Sequence, residues 1–523
     1  MGIYVNPDAG RFIIDRNDRL YVDKSELIAC LNEKIDTKER FICVSRPRRF
    51  GKSMAANMIA AYYSKGAADA RPLLSELKIG SDPSFERYLN KLNVIKFDMN
   101  AVYRRAVGGL MIPDVVNMLV VPEIRSSFPD VYIPEGADLS LAIQMVYASR
   151  KEKFVIIIDE YDVPVRDQTD AESFRRYLDL LILLFKNDEV SPAIALAYMT
   201  GILPVIRDRV QSKLNSFTEY TMLDADAMAP FMGFTEEETK GLAEQSGMDY
   251  GELKRWYDGY SINGRDIYSP KSVVTAASRR RCDYYWTQTG SYDALRDYIL
   301  MNFEGIRDDV VSMISGARVH ANVLTYMNTM DSFRSKDDVF TYLIHLGYLS
   351  YDMYSKECFI PNSEVRTEWV NSISSAPDYR RVMEMVNGSR QLLEATWEMD
   401  GEAVAEAVGR THMLVTSSLT YNNEGSFQSA IRLAYFYSDS CYTLFNELPG
   451  GKGYADVAFI PFVEGKPALI VELKRDRSAE EAVAQIRERE YPAALEKYRD
   501  SMLLVGISYD SETKEHSCII EKA

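Results

Sequence analysis

Residues 41–53 read Phe41-Ile42-Cys43-Val44-Ser45-Arg46-Pro47-Arg48-Arg49-Phe50-Gly51-Lys52-Ser53. Phe41–Ser45 is a short apolar strand candidate, and the segment after the loop, Lys52–Ser64, reads as a helix. The join closes on Gly-Lys-Ser, the last three residues of a phosphate-binding loop. Backbone N–H groups at a helix start point outward, and the helix dipole favours an anion there. Arg48, Arg49, Phe50, Gly51, Lys52 and Ser53 are therefore expected to cradle the phosphates of ATP. Lys52 would reach the outer phosphates and Ser53 would hold Mg2+. Arg46 stands where the usual first glycine of such a loop would be. The plainer alternative is an ordinary helix start with Ser53 in its first turn.

A second stretch strengthens the first. Phe154-Val155-Ile156-Ile157-Ile158 is wholly apolar and runs into Asp159-Glu160. An apolar strand of this kind belongs in the middle of a parallel sheet. Ligands bind at the C-terminal ends of such strands. Asp159 is expected to order Mg2+ through water, and Glu160 to polarise the attacking water. Read without the loop, the same residues are a core strand with a solvated polar end. Val94–Asp98 and Ala193–Met199 are further strands. The second delivers Thr200, placed to sense the outer phosphate or merely to cap a turn. Arg207 and Arg209 are candidates for a transition-state cation.

The organisation follows from these elements. Strands separated by helices over residues 1–225 point to an α/β domain with a parallel P-loop sheet. Residues 226–410 read as a mostly helical lid or linker without sustained strands. Residues 411–523 change again, to a helix (Ser426–Tyr437), three strands (Tyr442–Glu447, Tyr454–Phe462, Ala468–Lys474), a charged helix (Ala479–Lys497) and a last strand (Met502–Ser508).

The second chemical site lies in that C-terminal region. Val463-Glu464-Gly465-Lys466-Pro467 turns a hairpin. Glu472 and Lys474 are two apart and share one strand face. Asp456 begins the preceding strand, where pairing can bring it beside them. Two carboxylates with a carbonyl suit Mg2+, and a lysine can orient a nucleophile. A surface salt bridge between Glu472 and Lys474 is the bland alternative. However, Leu469-Ile470-Val471 is apolar on both faces, which argues that the strand is buried.

Composition narrows the classes. With 46% hydrophobic and 26% charged residues, the 523-residue chain is neither disordered nor fibrous. Six scattered cysteines without a Cys-x-x-Cys pair, and four histidines, argue against a disulfide framework or structural zinc. No apolar run reaches about 18 residues, and the best, Met111–Val121, is broken by Pro113, Asp114 and Asn117. A cytoplasmic protein without a secretory leader or membrane partner is the expectation. The net charge of −16 excludes broad coating of nucleic acid but not one local basic groove.

Taken together, these motifs resemble the bacterial and archaeal AAA-ATPase-like proteins that carry a C-terminal PD-(D/E)xK nuclease domain. The resemblance rests on Tyr21-Val22-Asp23-Lys24-Ser25, on Ser45–Ser53 and on Thr200-Gly201-Ile202. Trp256-Tyr257-Asp258-Gly259-Tyr260 and Tyr268-Ser269-Pro270 add to it, as do Asn423-Glu424, Asp456 and Glu472-x-Lys474. It implies a restriction-endonuclease-like core at the C-terminus, Glu424 as a further metal ligand, and Gln485 with Tyr491 on the following helix. Phe427-Gln428 departs from the Tyr-His pair of relatives. The expected function is ATP binding and hydrolysis coupled to a Mg2+-dependent nuclease acting on DNA. The competing expectation is a nucleotide-switched interaction or DNA-binding protein whose nuclease-like domain is inactive. Oligomeric state stays open.

Overall fold

The computed structural model describes residues 2–66, 69–167, 169–205, 214, 216–286, 292–301, 303–324, 326, 333–374, 376–416, 431–450, 453–463, 465–488, 498 and 501–523. The chain forms two compact units. One comprises Met1–Gly290 with His320–Asn362, and the other Ser291–Val319 with Ser363–Ala523. The expected boundaries near 225 and 410 both fall inside a unit, because the middle segment is shared between the two.

The first unit is built on five parallel strands: β1 (Phe41–Ser45), β2 (Asn93–Asp98), β3 (Phe154–Asp159), β4 (Ile194–Gly201) and β5 (Thr218–Tyr220). Their spatial order is β2-β3-β4-β1-β5. Side chains alternate across a strand, and both faces of this sheet are buried. Ile42, Val44, Val155, Ile157 and Tyr198 pack against the helix α1 (Lys52–Tyr63). Phe41, Cys43, Ile156, Ile158 and Met199 face the helices Ile112–Ser127 and Leu139–Arg150. Every residue of β3 is buried, which explains its unbroken apolar run. Four strands and α1 match the sequence reading to within two residues. The short β5 had not been expected, since three residues with one buried position leave little pattern. The middle segment is mostly helical, as expected. It also holds two small hairpins, Tyr260–Ile262 with Arg265–Ile267 and Ser350–Asp352 with Glu357–Phe359.

The second unit carries a mixed sheet in simple sequence order. Its strands are β6 (Tyr442–Gly450), β7 (Gly453–Pro461), β8 (Leu469–Arg475), β9 (Leu503–Tyr509) and β10 (His516–Lys522). Only β8 and β9 are parallel. A parallel pair needs a crossover, and the chain between them carries the helix Ala479–Glu488. Leu469, Val471, Val457 and Val505 bury one face under Val404 and Val408 of the helix Gly401–Thr416. Ala458, Ile470 and Leu504 pack with Val483 and Ile486 of Ala479–Glu488 on the other. Gly506 allows that helix to approach, because a Cβ there would lie 2.4 Å from the Ala479 carbonyl oxygen. β10 was missed: its alternation of buried and exposed positions is weak. Of the expected helix Ser426–Tyr437, residues 426–430 lie outside the described residues, 431–434 are helical, and Phe436–Ser440 is a 3-10 turn.

Candidate functional site

The phosphate-loop segment leaves β1 and enters α1 through a left-handed turn. Gly51 has φ 87°, a conformation that an L side chain adopts only with strain, although space is open beside it. Arg46, in the missing glycine's place, is fully buried and does structural work. Its Nη1 donates to the carbonyls of Ser45 (2.8 Å) and Tyr220 (3.2 Å), stitching β1 to β5. Burial draws its pKa down to about 10. Phe50 is buried and packs edge-on against Tyr260, so it can offer a ligand only its backbone. Arg48, Arg49 and Ser53 are exposed.

Lys52 is only 4% exposed. Its Nζ donates to the carbonyls of Arg46 and Pro47, both at 3.0 Å, and stands 3.6 Å from Glu160 Oε1. Burial lowers its pKa while Glu160 opposes the shift. Asp159 and Glu160 close β3, as expected. Asp159 accepts a 2.5 Å hydrogen bond from the Thr200 hydroxyl, and the Glu160 N–H donates to that hydroxyl oxygen at 3.4 Å. Thr200 is thus a link between β4 and the acidic pair rather than a turn cap. Glu160 sits at φ 55°, an uncommon region for a non-glycine residue. Burial raises its pKa, and Lys52 partly offsets this.

Sequence reasoning missed three residues here. Asp162 is fully buried and its Oδ2 accepts from the N–H groups of Ile202 (3.0 Å) and Leu203 (2.9 Å). Arg166, which ends the short helix Val163–Arg166, donates from Nη2 to Glu160 Oε2 at 2.5 Å. Its Nε lies 3.0 Å from Asp162 Oδ2. The i,i+4 spacing of Asp162 and Arg166 around Pro164 was a legible signal. Asp98, the register partner of Asp159 on β2, was also passed over. Burial raises its pKa.

A cavity of about 510 Å3 opens beside this cluster, lined by Gly51, Lys52, Ser53 and Glu160. Phe12, Leu20, Phe234 and Val274 form part of its apolar wall. A buried cation held by two carbonyls, a helix start, an exposed hydroxyl and paired carboxylates fit a metal-bound polyphosphate. The apolar wall fits the flat base of a nucleotide.

In the second unit, Asp456, Glu472 and Lys474 lie on the sheet face covered by Ala479–Glu488, by the parity of Ala458 and Ile470. The β7–β8 ladder pairs Val457 with Val471 and goes no further. Past that point Asp456 Oδ2 takes the Leu473 N–H at 2.8 Å, so a side chain replaces a ladder bond. Glu472 is 1% exposed. Its Oε1 receives Lys474 Nζ at 3.1 Å and the Gln485 amide from the helix above. A buried carboxylate without partners would be costly, so these contacts compensate it. Asp456 and the Glu472–Lys474 pair thus stand on one sheet face near the ladder end, and carboxylate oxygens are the donor type that suits a hard cation. Among the described residues no group of three His, Cys, Asp or Glu gathers as a metal cluster. Glu424, Tyr491, Arg207 and Arg209 lie outside the described residues.

Residues 12–211 match the family described as "Predicted AAA-ATPase", and residues 422–517 match the PD-(D/E)XK nuclease superfamily. The chain carries both domains. A curated protein of Azotobacter chroococcum mcd 1, named only as an uncharacterized protein in the vnfD 5' region, is 26% identical over 298 residues. The match covers 55% of this chain and 54% of that protein, so the chain spans about half the relative's length. Two solved structures from Aeropyrum pernix superpose weakly on the chain. The ORC2 protein in its ADPNP–ADP complexes gives TM-score 0.29 at 11% identity, covering 67% of this chain and 92% of its own. The ORC1 protein in complex with DNA gives 0.26 at 11%, covering 73% and 100%. Likenesses at that level carry no functional weight. Each matched segment contains one of the two side-chain clusters described above. All six cysteines are free thiols. No helix among the described residues is long and apolar enough to cross a membrane.

Proposed function

We propose that the AAA-ATPase-like domain binds and hydrolyses ATP with Mg2+, and that the nuclease-superfamily domain cleaves DNA in a metal-dependent reaction. On this reading residues 1–225 form the nucleotide segment, 226–410 a lid or linker, and 411–523 the nuclease segment. The observation that carries it is the meeting of Lys52, Asp159, Glu160 and Thr200 at adjacent strand ends, beside an open cavity. Ligand sites of open parallel sheets lie at such ends.

In the first domain Lys52 is set to exchange its two carbonyl partners for phosphate oxygens, a charge-assisted replacement. Ser53 and Asp159 would hold the cation, and Thr200 keeps Asp159 oriented. Glu160 is placed to accept the proton of an attacking water. In the second domain Asp456 and Glu472 supply carboxylate oxygens, and Lys474 orients the attacking water. A divalent cation there contributes Lewis-acid stabilisation of the phosphoryl charge. Because the chain is acidic, DNA would be gripped locally rather than by a broad field. The protein would work in the cytoplasm.

Two experiments test the reading. Calorimetry with Mg-ATP should show binding by the wild type and its loss in Lys52→Ala. A Mg2+ or Mn2+ cleavage assay on linear and circular DNA should show cutting that Asp456→Ala abolishes. ATP binding without any cutting would leave a nucleotide-switched binder in place of the nuclease.

A further inference from the structure

Glu160 is the one member of the acidic pair whose backbone is left-handed, and its carboxylate is held from two sides. On one side stands Lys52 of α1, and on the other Arg166. Arg166 does not act by itself. Its side chain is 9% exposed and it also meets Asp162, whose own carboxylate grips two consecutive N–H groups just after β4. Gly201 makes room for this: a Cβ there would lie 2.7 Å from Asp162 Oδ1. The chain of contacts therefore runs from the Ile202–Leu203 backbone through Asp162 and Arg166 to Glu160, and on to Lys52.

We propose that Asp162 and Arg166 are positioning residues for Glu160, fixing its carboxylate between the phosphate-loop lysine and the end of β4. The proposal rests on the nucleotide reading given above and adds the regulation of that site. Three physical points support it. A guanidinium spreads its charge over a rigid planar fork, and here it reaches two carboxylates at once, Glu160 by a hydrogen bond and Asp162 by an ion pair. Asp162 is buried and anchored to backbone, so the fork is itself held still. The left-handed turn at Glu160 is sustained only where surrounding contacts over-determine it. Any shift of the β4 end would pass to Glu160 through this pair, while Lys52 has partners of its own in the Arg46 and Pro47 carbonyls, which phosphate oxygens replace when nucleotide binds.

The consequence is a split between ground-state and transition-state binding. The phosphate loop binds nucleotide without help from Arg166, whereas the group that aligns water needs it. The test uses the full-length chain and measures the affinity for Mg-ADP, the affinity for Mg-ADP with aluminium fluoride, and kcat and KM for ATP. Arg166→Gln should leave ADP affinity within about 3-fold and weaken the fluoride complex by at least about 10-fold. It should lower kcat in step with KM nearly unchanged, and Arg166→Lys should recover part of the loss. Should Arg166→Gln fail to fold, Asp162→Asn keeps the volume, releases Arg166 and must show the same split. Equal weakening of both complexes, or no change in either, overturns the positioning role. A wild-type chain that binds no ADP overturns the nucleotide reading itself, and this proposal with it. Wild-type binding that Lys52→Ala abolishes, without a split at Arg166 or Asp162, overturns the proposal alone.

Discussion

The two clusters solve the problem of buried charge in different ways. In the AAA-ATPase-like domain the charges stand just beyond the C-terminal ends of parallel strands, on the loops and helices that follow them, and hold one another: Lys52, Glu160, Arg166 and Asp162 form one chain of contacts. In the nuclease-superfamily domain they stand within an antiparallel pair, where the ladder stops and Asp456 takes over a backbone N–H. The first arrangement leaves a cavity that a ligand can enter without disturbing the sheet. The second places its carboxylates in the fabric of the sheet itself. A strand-end site can thus be altered with little cost to folding, whereas a mid-sheet site couples chemistry to stability.

Substitutions can break this contrast. The largest effect is expected from Asp456→Ala or Glu472→Ala, each lowering DNA cleavage by at least about 100-fold in a metal-supplemented assay. Glu472→Ala should also lower the melting temperature of the second unit, since Lys474 and Gln485 lose their shared partner. Lys52→Ala comes next. It should weaken Mg-ATP binding by at least about 10-fold in calorimetry and leave cleavage in the absence of ATP intact. Its melting temperature should change less than that of Glu472→Ala; the reverse order would contradict the contrast.

Two smaller effects sharpen it through pH. Glu368, on the helix Ser363–Ile373 of the second unit, is 2% exposed, and burial with Glu364 nearby raises its pKa to about 7. Below about pH 4.5 it is neutral folded or unfolded. Above that the unfolded chain releases the proton while the folded chain keeps it, so stability falls as pH rises towards 7. The loss is on the order of 3 kcal/mol. Glu368→Gln should therefore stabilise the second unit at pH 7.5 and change little at pH 4.5, as read from denaturant melts. His516 works in the opposite direction. Its Nε2 lies 2.9 Å from His412 Nδ1, beside Tyr509, and burial with His412 lowers its pKa to about 4. The unfolded chain takes up a proton near pH 6.5 that the folded chain refuses. Stability is then lost as pH falls from about 6.5 to about 4. His516→Gln should flatten that limb.

Much of this was legible in the residues, for a physical reason. Strands buried on both faces must be apolar throughout, so β1, β3 and β4 announce themselves, and their polar ends stand out as Ser45, Asp159-Glu160 and Thr200. The hairpin and its Glu-x-Lys face were legible through the period-two rule. Gln485 was placed on the following helix by resemblance, and the structure brings its amide to Glu472. What stayed hidden depends on contacts between segments far apart in sequence. No local pattern shows that Asp162 reaches the Ile202 backbone, or that Arg46 turns inward to stitch β1 to Tyr220. β5 and β10 were missed because edge strands with one covered face carry few apolar residues.

The most direct test of the account is cleavage of linear DNA with Mg2+ or Mn2+, with and without ATP, by the wild type, Asp456→Ala and Lys52→Ala side by side. The account predicts cutting by the wild type, none by Asp456→Ala, and cutting by Lys52→Ala that no longer responds to ATP. Equal cutting by the wild type and Asp456→Ala, or none by the wild type under any condition, would contradict it.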